Sequence, residues 1–345
     1  MAIAKKKTKA GPIVFYSLLC VALLAFLTAT IVFSWLNGSD LIKDPVFLGA
    51  VQSYLGKYPR LIKQEDLDGI TYMNIEDGKI YFDEENSEAE EITSDLSDFA
   101  ADLQLLHGLK SFKSSSYTYT ADLSVLTNAP ALEVVTLDGA KETDFSPLAK
   151  LPALKTLSIN NVTVTDTAFL ADLKGLEVLR ITNTGISDLS QINAEGLKEL
   201  TAGSNGITAL EALGAFTTLE KLDLSGNADI TDLTPLSVLK NLTWLSLDDD
   251  GGVVELAPLA SLAELTDLNL CGTGATDVTP ILGLTKLSSL DVTGLELADW
   301  SVFDTLKETC TITGLPEEEE AEEEEATEES GESEDTENQT EENNG

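Results

Sequence analysis

The sequence holds one histidine, His107, three cysteines, Cys20, Cys271 and Cys310, and 60 acidic side chains against 21 basic ones. Imidazole is the usual proton carrier near neutral pH, so a Ser–His–Asp or Cys–His nucleophile would have to use His107. His107 precedes Gly108 at the end of an apolar segment, which suits a helix terminus. One histidine excludes a metal cluster held by several imidazoles, and there is no Cys-x-x-Cys pair. No glycine-rich phosphate loop follows a strand pattern. The acidic pairs are scattered as solvated charge. We therefore expect no enzyme and no cofactor. One carboxylate cluster stands apart, Asp248-Asp249-Asp250-Gly251-Gly252. Three carboxylates with glycines are calcium-ligand chemistry, because that ion takes several oxygens in flexible geometry. No ordered ligand series follows it, so the reading of a solvated loop is preferred, with calcium as the alternative.

The elements around these residues are set by a period. Units begin at Leu109, Leu132, Leu154, Leu176, Leu197, Leu219, Leu242, Leu265 and Leu287, spaced 21 to 23 residues apart. An apolar residue follows three positions on and usually another at five, as in Leu219, Leu222 and Leu224. Alternate apolar residues put one side of a short strand against a core. A lone strand of this kind cannot bury its face, but successive strands stacked in parallel make a continuous core. The closing half of each unit returns the chain along the other face. There Pro147, Pro235, Pro258 and Pro280 suit the first turn of a short helix or 3₁₀ segment. Asn205 and Asn227 fall where the strand bends away, and their amides can satisfy backbone groups that the bend leaves unpaired. Thr184, Asp250 and Thr273 occupy that place in other units. Nine strands at about 4.8 Å spacing make a curved α/β solenoid about 40 Å long, with its parallel sheet on the concave face.

The third and fifth positions of each unit point outward on that concave face, the natural binding surface of a repeat stack. Most are small and polar. Trp244 is the exception, with Arg180, Lys221 and Glu199 on the same sheet and Asp223, Asp267 and Asn269 beside it. Aromatic and arginine side chains are favoured interface anchors. These seven residues are the candidate ligand-binding set. Trp300 lies in the returning half of its unit and is read as core.

Ile13 to Leu36 carry no charge. As a helix that run is about 36 Å long, enough to cross a hydrocarbon core of about 30 Å with some tilt. Lys5, Lys6, Lys7 and Lys9 precede it, which keeps the N-terminus in the cytoplasm and the repeats outside. The run exceeds the core of a cleaved signal, and Ser34-Trp35-Leu36 is a poor cleavage site, so an uncleaved anchor is expected. Three cysteines in different settings give no disulfide framework, which for an exported chain fits a bacterium. The formal net charge is −39. That balance argues against nucleic acid, whose binding needs lysine and arginine to displace counterions. Residues 316–345 hold sixteen acids and no base, and so polar a tail cannot bury enough surface to fold.

An open stack needs caps. Asp44-Pro45 starts a helix in which Phe47, Ala50, Val51, Tyr54 and Leu55 recur at helical spacing, and Gly56 ends it. A second short helix is expected around Gln64–Gly69. Tyr72–Ile75 and Lys79–Phe82 flank Glu76-Asp77-Gly78 as a hairpin. Residues 84–91 read as a mobile acidic loop, and Ile92 to Leu106 as an irregular first repeat.

At this point the sequence resembles leucine-rich-repeat proteins of the internalin type. The cap residues Phe47-Leu48, Ala50-Val51, Tyr54-Leu55-Gly56 and Gln64–Thr71 carry the likeness, as does Asn227-Ala228-Asp229-Ile230-Thr231-Asp232-Leu233-Thr234-Pro235-Leu236 within a repeat. The resemblance covers roughly residues 41–315. It implies a helical cap fused to the repeats, and a bacterial surface protein that binds other proteins. Internalin-like proteins often carry a wall-sorting motif, whereas here Leu315-Pro316-Glu317 is followed by no such signal, so attachment is expected from the N-terminal helix.

The expected organisation is then a basic cytoplasmic tail (1–12), a transmembrane helix (13–36), a cap with an irregular first repeat (41–108), nine repeats (109–315) and an acidic disordered tail (316–345). The expected function is binding of a protein or glycan at the bacterial cell surface. The alternative is a scaffold for another envelope membrane protein, acting through the transmembrane helix.

Overall fold

The computed structural model describes residues 41–84, 90–91, 99–115, 122–139 and 144–316. The basic segment, the expected membrane helix at 13–36, Cys20 and the acidic tail beyond Pro316 lie outside them, as do residues 92–98 of the irregular first repeat. Among the described residues no helix is long and apolar enough to cross a membrane. Contacts divide the chain after Gly314, and on the far side of that division only Leu315 and Pro316 are described.

The cap begins with α1 (Pro45–Leu55). The Asp44 carboxylate accepts from the Val46 and Phe47 N–H groups at 2.9 and 2.8 Å, and proline fills the first helical position. Phe47, Ala50 and Val51 face inward, and Gly56 closes the helix at φ 62°. The short helix α2 (Gln64–Asp68) and α3 (Phe99–Leu103) follow. Buried Asp102 on α3 ties this region together by accepting from the Lys43 and Asp44 N–H groups at 2.8 and 2.6 Å.

Between α2 and α3 lies the hairpin of β1 (Tyr72–Glu76) and β2 (Lys79–Tyr81). Glu76 pairs with Lys79, so the turn is the two residues Asp77-Gly78, both at positive φ, rather than three. The acidic segment expected to be a loop contains a further short strand, β3 (Glu90–Glu91), paired with β2.

Ten strands follow at the repeat spacing: β4 (Ser111–Ser114), β5 (Val134–Asp138), β6 (Thr156–Asn160), β7 (Val178–Arg180), β8 (Glu199–Thr201), β9 (Lys221–Asp223), β10 (Trp244–Ser246), β11 (Asp267–Asn269), β12 (Ser289–Asp291) and β13 (Thr311–Thr313). Each is parallel to the next, and β1 lies parallel beside β4. The parallel stack therefore outruns the nine strands expected. It gains β1 from the cap at one end. At the other it gains β13, where Ile312 still pairs with Leu290 although Thr309 stands at the leading leucine position.

One coil shows what holds the stack. Leu219, Leu222, Leu224, Ile230, Leu233, Leu236 and Leu239 are all at most 1% exposed. Burying one such side chain contributes roughly 1.5–3 kcal/mol against the cost of ordering the chain. The returning halves are 3₁₀ segments, including Ser146–Lys150, Thr234–Val238, Ala257–Ser261 and Thr279–Ile281, each with proline in its first two positions. A second repeated device precedes them. Asp122, Asp144, Asp166, Asp188, Asp232, Asp277 and Asp299 each accept from the N–H two residues on, at 2.8–3.0 Å. Along one sheet edge the residues next to the leading leucines alternate in charge, Lys110, Glu133, Lys155, Glu177, Lys198 and Glu220. Beyond them Thr243, Thr266 and Ser288 each donate a hydroxyl to the carbonyl of the preceding coil.

Candidate functional site

Strand register places the outward side chains in two rows. One runs Val178, Glu199, Lys221, Trp244, Asp267, Ser289. The other runs Arg180, Thr201, Asp223, Ser246, Asn269, Asp291, of which Ser246 is buried, its hydroxyl 2.8 Å from that of Ser225. All seven residues singled out in the sequence thus lie on one sheet face. Glu199, Lys221, Asp223 and Trp244 line a depression of about 210 Å³, together with Thr201 and Leu200. Arg180 does not line it. Its guanidinium donates to Glu199 at 2.5 Å and holds that carboxylate at the rim. Asp267 and Asn269 stand on the next strand, one beside Trp244 and the other beside Ser246. Each is partly engaged: Asp267 accepts from the Thr266 hydroxyl at 2.6 Å, and the Asn269 oxygen from the Cys271 N–H at 2.9 Å.

Trp244 and Lys221 are neighbours across β9 and β10, with Glu199 one strand further on. An aromatic face flanked by carboxylates attracts a cation, since ring quadrupole and charge act together. The face is also asymmetric. From β8 to β12 and the turns after them it carries Glu199, Asp223, Asp248, Asp249, Asp267 and Asp291 against Lys221.

Other sequence candidates resolve differently. Among the described residues no group of His, Cys, Asp and Glu is arranged to hold a metal ion. The three aspartates of the calcium alternative do different things. Asp249 is exposed in a left-handed turn at φ 57°, while the Asp250 carboxyl turns inward and is fully buried. His107 is a tie between cap and stack: its Nδ1 lies 3.0 Å from Asp68 and 3.3 Å from Gln64. Cys271 and Cys310 are free thiols. Burial first, then Asp248, pushes the Cys271 thiol up to about 11, so at neutral pH it is not a thiolate. Trp300 is half-buried rather than core, packed 6.1 Å from Phe303.

The asparagines work as expected. Asn205 accepts from Thr184 N–H, Thr184 hydroxyl and Gly185 N–H at 2.9–3.0 Å. It donates to the Ile181, Ala202 and Gly203 carbonyls at 2.7–3.1 Å. Asn227 accepts from the Asn205 and Ile207 N–H groups and donates to Ala202 and Leu224 carbonyls. Sequence reasoning missed the residue before this ladder. Asn161, Asn183, Ser204, Gly226, Asp249, Gly272 and Gly294 all have positive φ. The signal was there, as a column of glycine and small polar residues that tolerate that region.

No family model matches the chain, and no curated protein matches it. Solved structures do. An internalin (InlF) from Listeria monocytogenes aligns at 21% identity and TM-score 0.50, over 81% of this chain and 97% of that one. A leucine-rich-repeat protein from Leptospira interrogans aligns at 24% identity and TM-score 0.53, over 61% of this chain and 56% of its own. The functional domain of InlJ from Listeria monocytogenes, which includes a cysteine ladder, aligns at 20% identity and TM-score 0.52, over 79% and 60%. The fold is a leucine-rich-repeat solenoid of the kind found in internalins.

Proposed function

We propose that this chain is a membrane-anchored binding protein, displayed outside the cytoplasmic membrane of a bacterium, whose sheet face holds a protein partner. The observation that carries this reading is the depression lined by Glu199, Lys221, Asp223 and Trp244. It pairs a large aromatic anchor with opposed charges on a rigid sheet, the kind of patch where binding energy concentrates. The acidic excess around it favours a partner that presents lysine or arginine, and it opposes phosphate backbones. The anchor rests on the uncharged run 13–36 behind four lysines.

Photo-crosslinking on intact cells tests this. A crosslinker at Ser289, exposed on the face two strands from Trp244, should capture a discrete protein. One at Ser237, on the returning side, should not. Trp244→Ala and Arg180→Glu should abolish the Ser289 product. Equal capture from both positions, or capture indifferent to both substitutions, would count against the proposal. The alternative of a scaffold acting through its membrane helix predicts that replacing 13–36 with an unrelated anchor abolishes capture. The binding-face reading predicts that capture persists.

A further inference from the structure

In the ladder of buried side chains behind the sheet, Thr184, Asn205, Asn227, Asp250 and Thr273, one rung is ionisable. Asn205 and Asn227 each accept through Oδ1 and donate through Nδ2 to backbone carbonyls of their own coil and the one before. Asp250 occupies the next equivalent position. Its Oδ1 accepts from the Asn227 N–H, as a ladder asparagine would. Its Oδ2 is buried and has no hydrogen-bond partner. One coil on from the carbonyls that Asn227 uses, the equivalent acceptors are those of Leu224 and Leu247. A carboxylate oxygen cannot donate to a carbonyl, but a protonated carboxyl can.

We infer that Asp250 keeps its proton in the folded protein up to neutral pH and completes the ladder as a donor, making the coil that carries Trp244 sensitive to pH. Three observations agree. The side chain is fully buried, which disfavours its charged form. The charged groups bearing on it are Asp223 from β9 and Asp248 and Asp249 from its own turn, all carboxylates, and the nearby Cys271 of the next coil is a neutral thiol. The balance of burial, the opposing Asn227 N–H and those carboxylates pushes Asp250 up to about 7, from an ordinary 3.8. Between those values the folded chain holds one proton more than the unfolded chain. Raising the pH through that window therefore withdraws stability, and above it the loss is complete.

The test is thermal unfolding of the full-length chain and its Asp250→Asn and Asp250→Ala variants between about pH 5 and about pH 8. Asparagine supplies the donor at every pH. The midpoint advantage of Asp250→Asn over wild type should grow by several degrees across that range, whereas Asp250→Ala should lie below Asp250→Asn throughout. The wild-type Asp250 carboxyl ¹³C resonance, assigned through bonds to its own backbone, needs no variant and should titrate near neutrality. An advantage that stays constant with pH, or a carboxyl that titrates below about pH 5, overturns the inference.

Discussion

At the scale of single residues, the stack depends on side chains that behave as backbone. Asn205 meets the buried N–H and hydroxyl of Thr184 in the preceding coil, and the Gly185 N–H beside them. Removing its amide leaves these donors and the Ile181 and Ala202 carbonyls exposed to an apolar interior, at about 1–3 kcal/mol for each orphaned group that fails to relax. We expect Asn205→Ala to cost roughly 3 kcal/mol in urea unfolding, and exposed Asn193→Ala less than about 0.5 kcal/mol. Similar costs for the two would mean that the ladder does not bear the stability assigned to it. Gly108 is constrained differently. A Cβ there would sit 1.8 Å from the Asp68 carbonyl oxygen, so α2 and the start of the stack touch only because the side chain is missing. Gly108→Ala must displace backbone and should lower the unfolding midpoint sharply, whereas Gly196→Ala, with open space around its Cβ, should not.

At the scale of elements, the aspartate that recurs before seven of the 3₁₀ segments is a titratable cap. The Ser or Thr hydroxyl two residues on, and then its backbone N–H, hold Asp122, Asp144, Asp188, Asp232, Asp277 and Asp299 below the ordinary carboxylate value. A depressed folded value gives stability that is present above pH 3.8 and lost as pH falls through it, the opposite sign to Asp250. Replacing the six with asparagine, which still accepts the N–H, should leave the midpoint at pH 7 little changed and reduce its fall towards about pH 3. An undiminished fall would place the acid sensitivity elsewhere. These caps also show what the sequence made legible. The leucine period fixed strand positions, sheet order and outward faces, because burial admits one register per coil. The same period put Trp244, Lys221 and Glu199 on one face. The joining of β1 to the stack was hidden, since the cap strand lacks the repeat and is recruited through pairing with β4. Hidden too was the split of Asp248 to Asp250 between surface and core, because three identical letters say nothing of which one enters the ladder. The pairing of Arg180 with Glu199 needed side-chain rotamers that spacing does not encode.

At the scale of the whole stack, charge is distributed along the sheet rather than spread evenly. Among the described residues, the face from β4 to β7 and its turns carries Lys113, Asp138 and Arg180, a near balance. The face from β8 to β12 carries six acids to one base, with Trp244 among them. Long-range attraction and close packing act on different steps of association. Charge draws a cationic partner in and is screened beyond about 8 Å at physiological salt, while a desolvated aromatic governs how long it stays. For the partner captured through Ser289, neutralising Asp248, Asp267 and Asp291 together as asparagines should slow association and flatten its dependence on salt, with dissociation little changed. Trp244→Ala should leave association nearly unaltered and speed dissociation by about tenfold or more. Surface plasmon resonance over a series of salt concentrations separates the two. If the triple neutralisation instead acted on dissociation alone, the carboxylates would be direct contacts rather than a steering field, and the cation-selective reading of this half of the sheet would have to be abandoned.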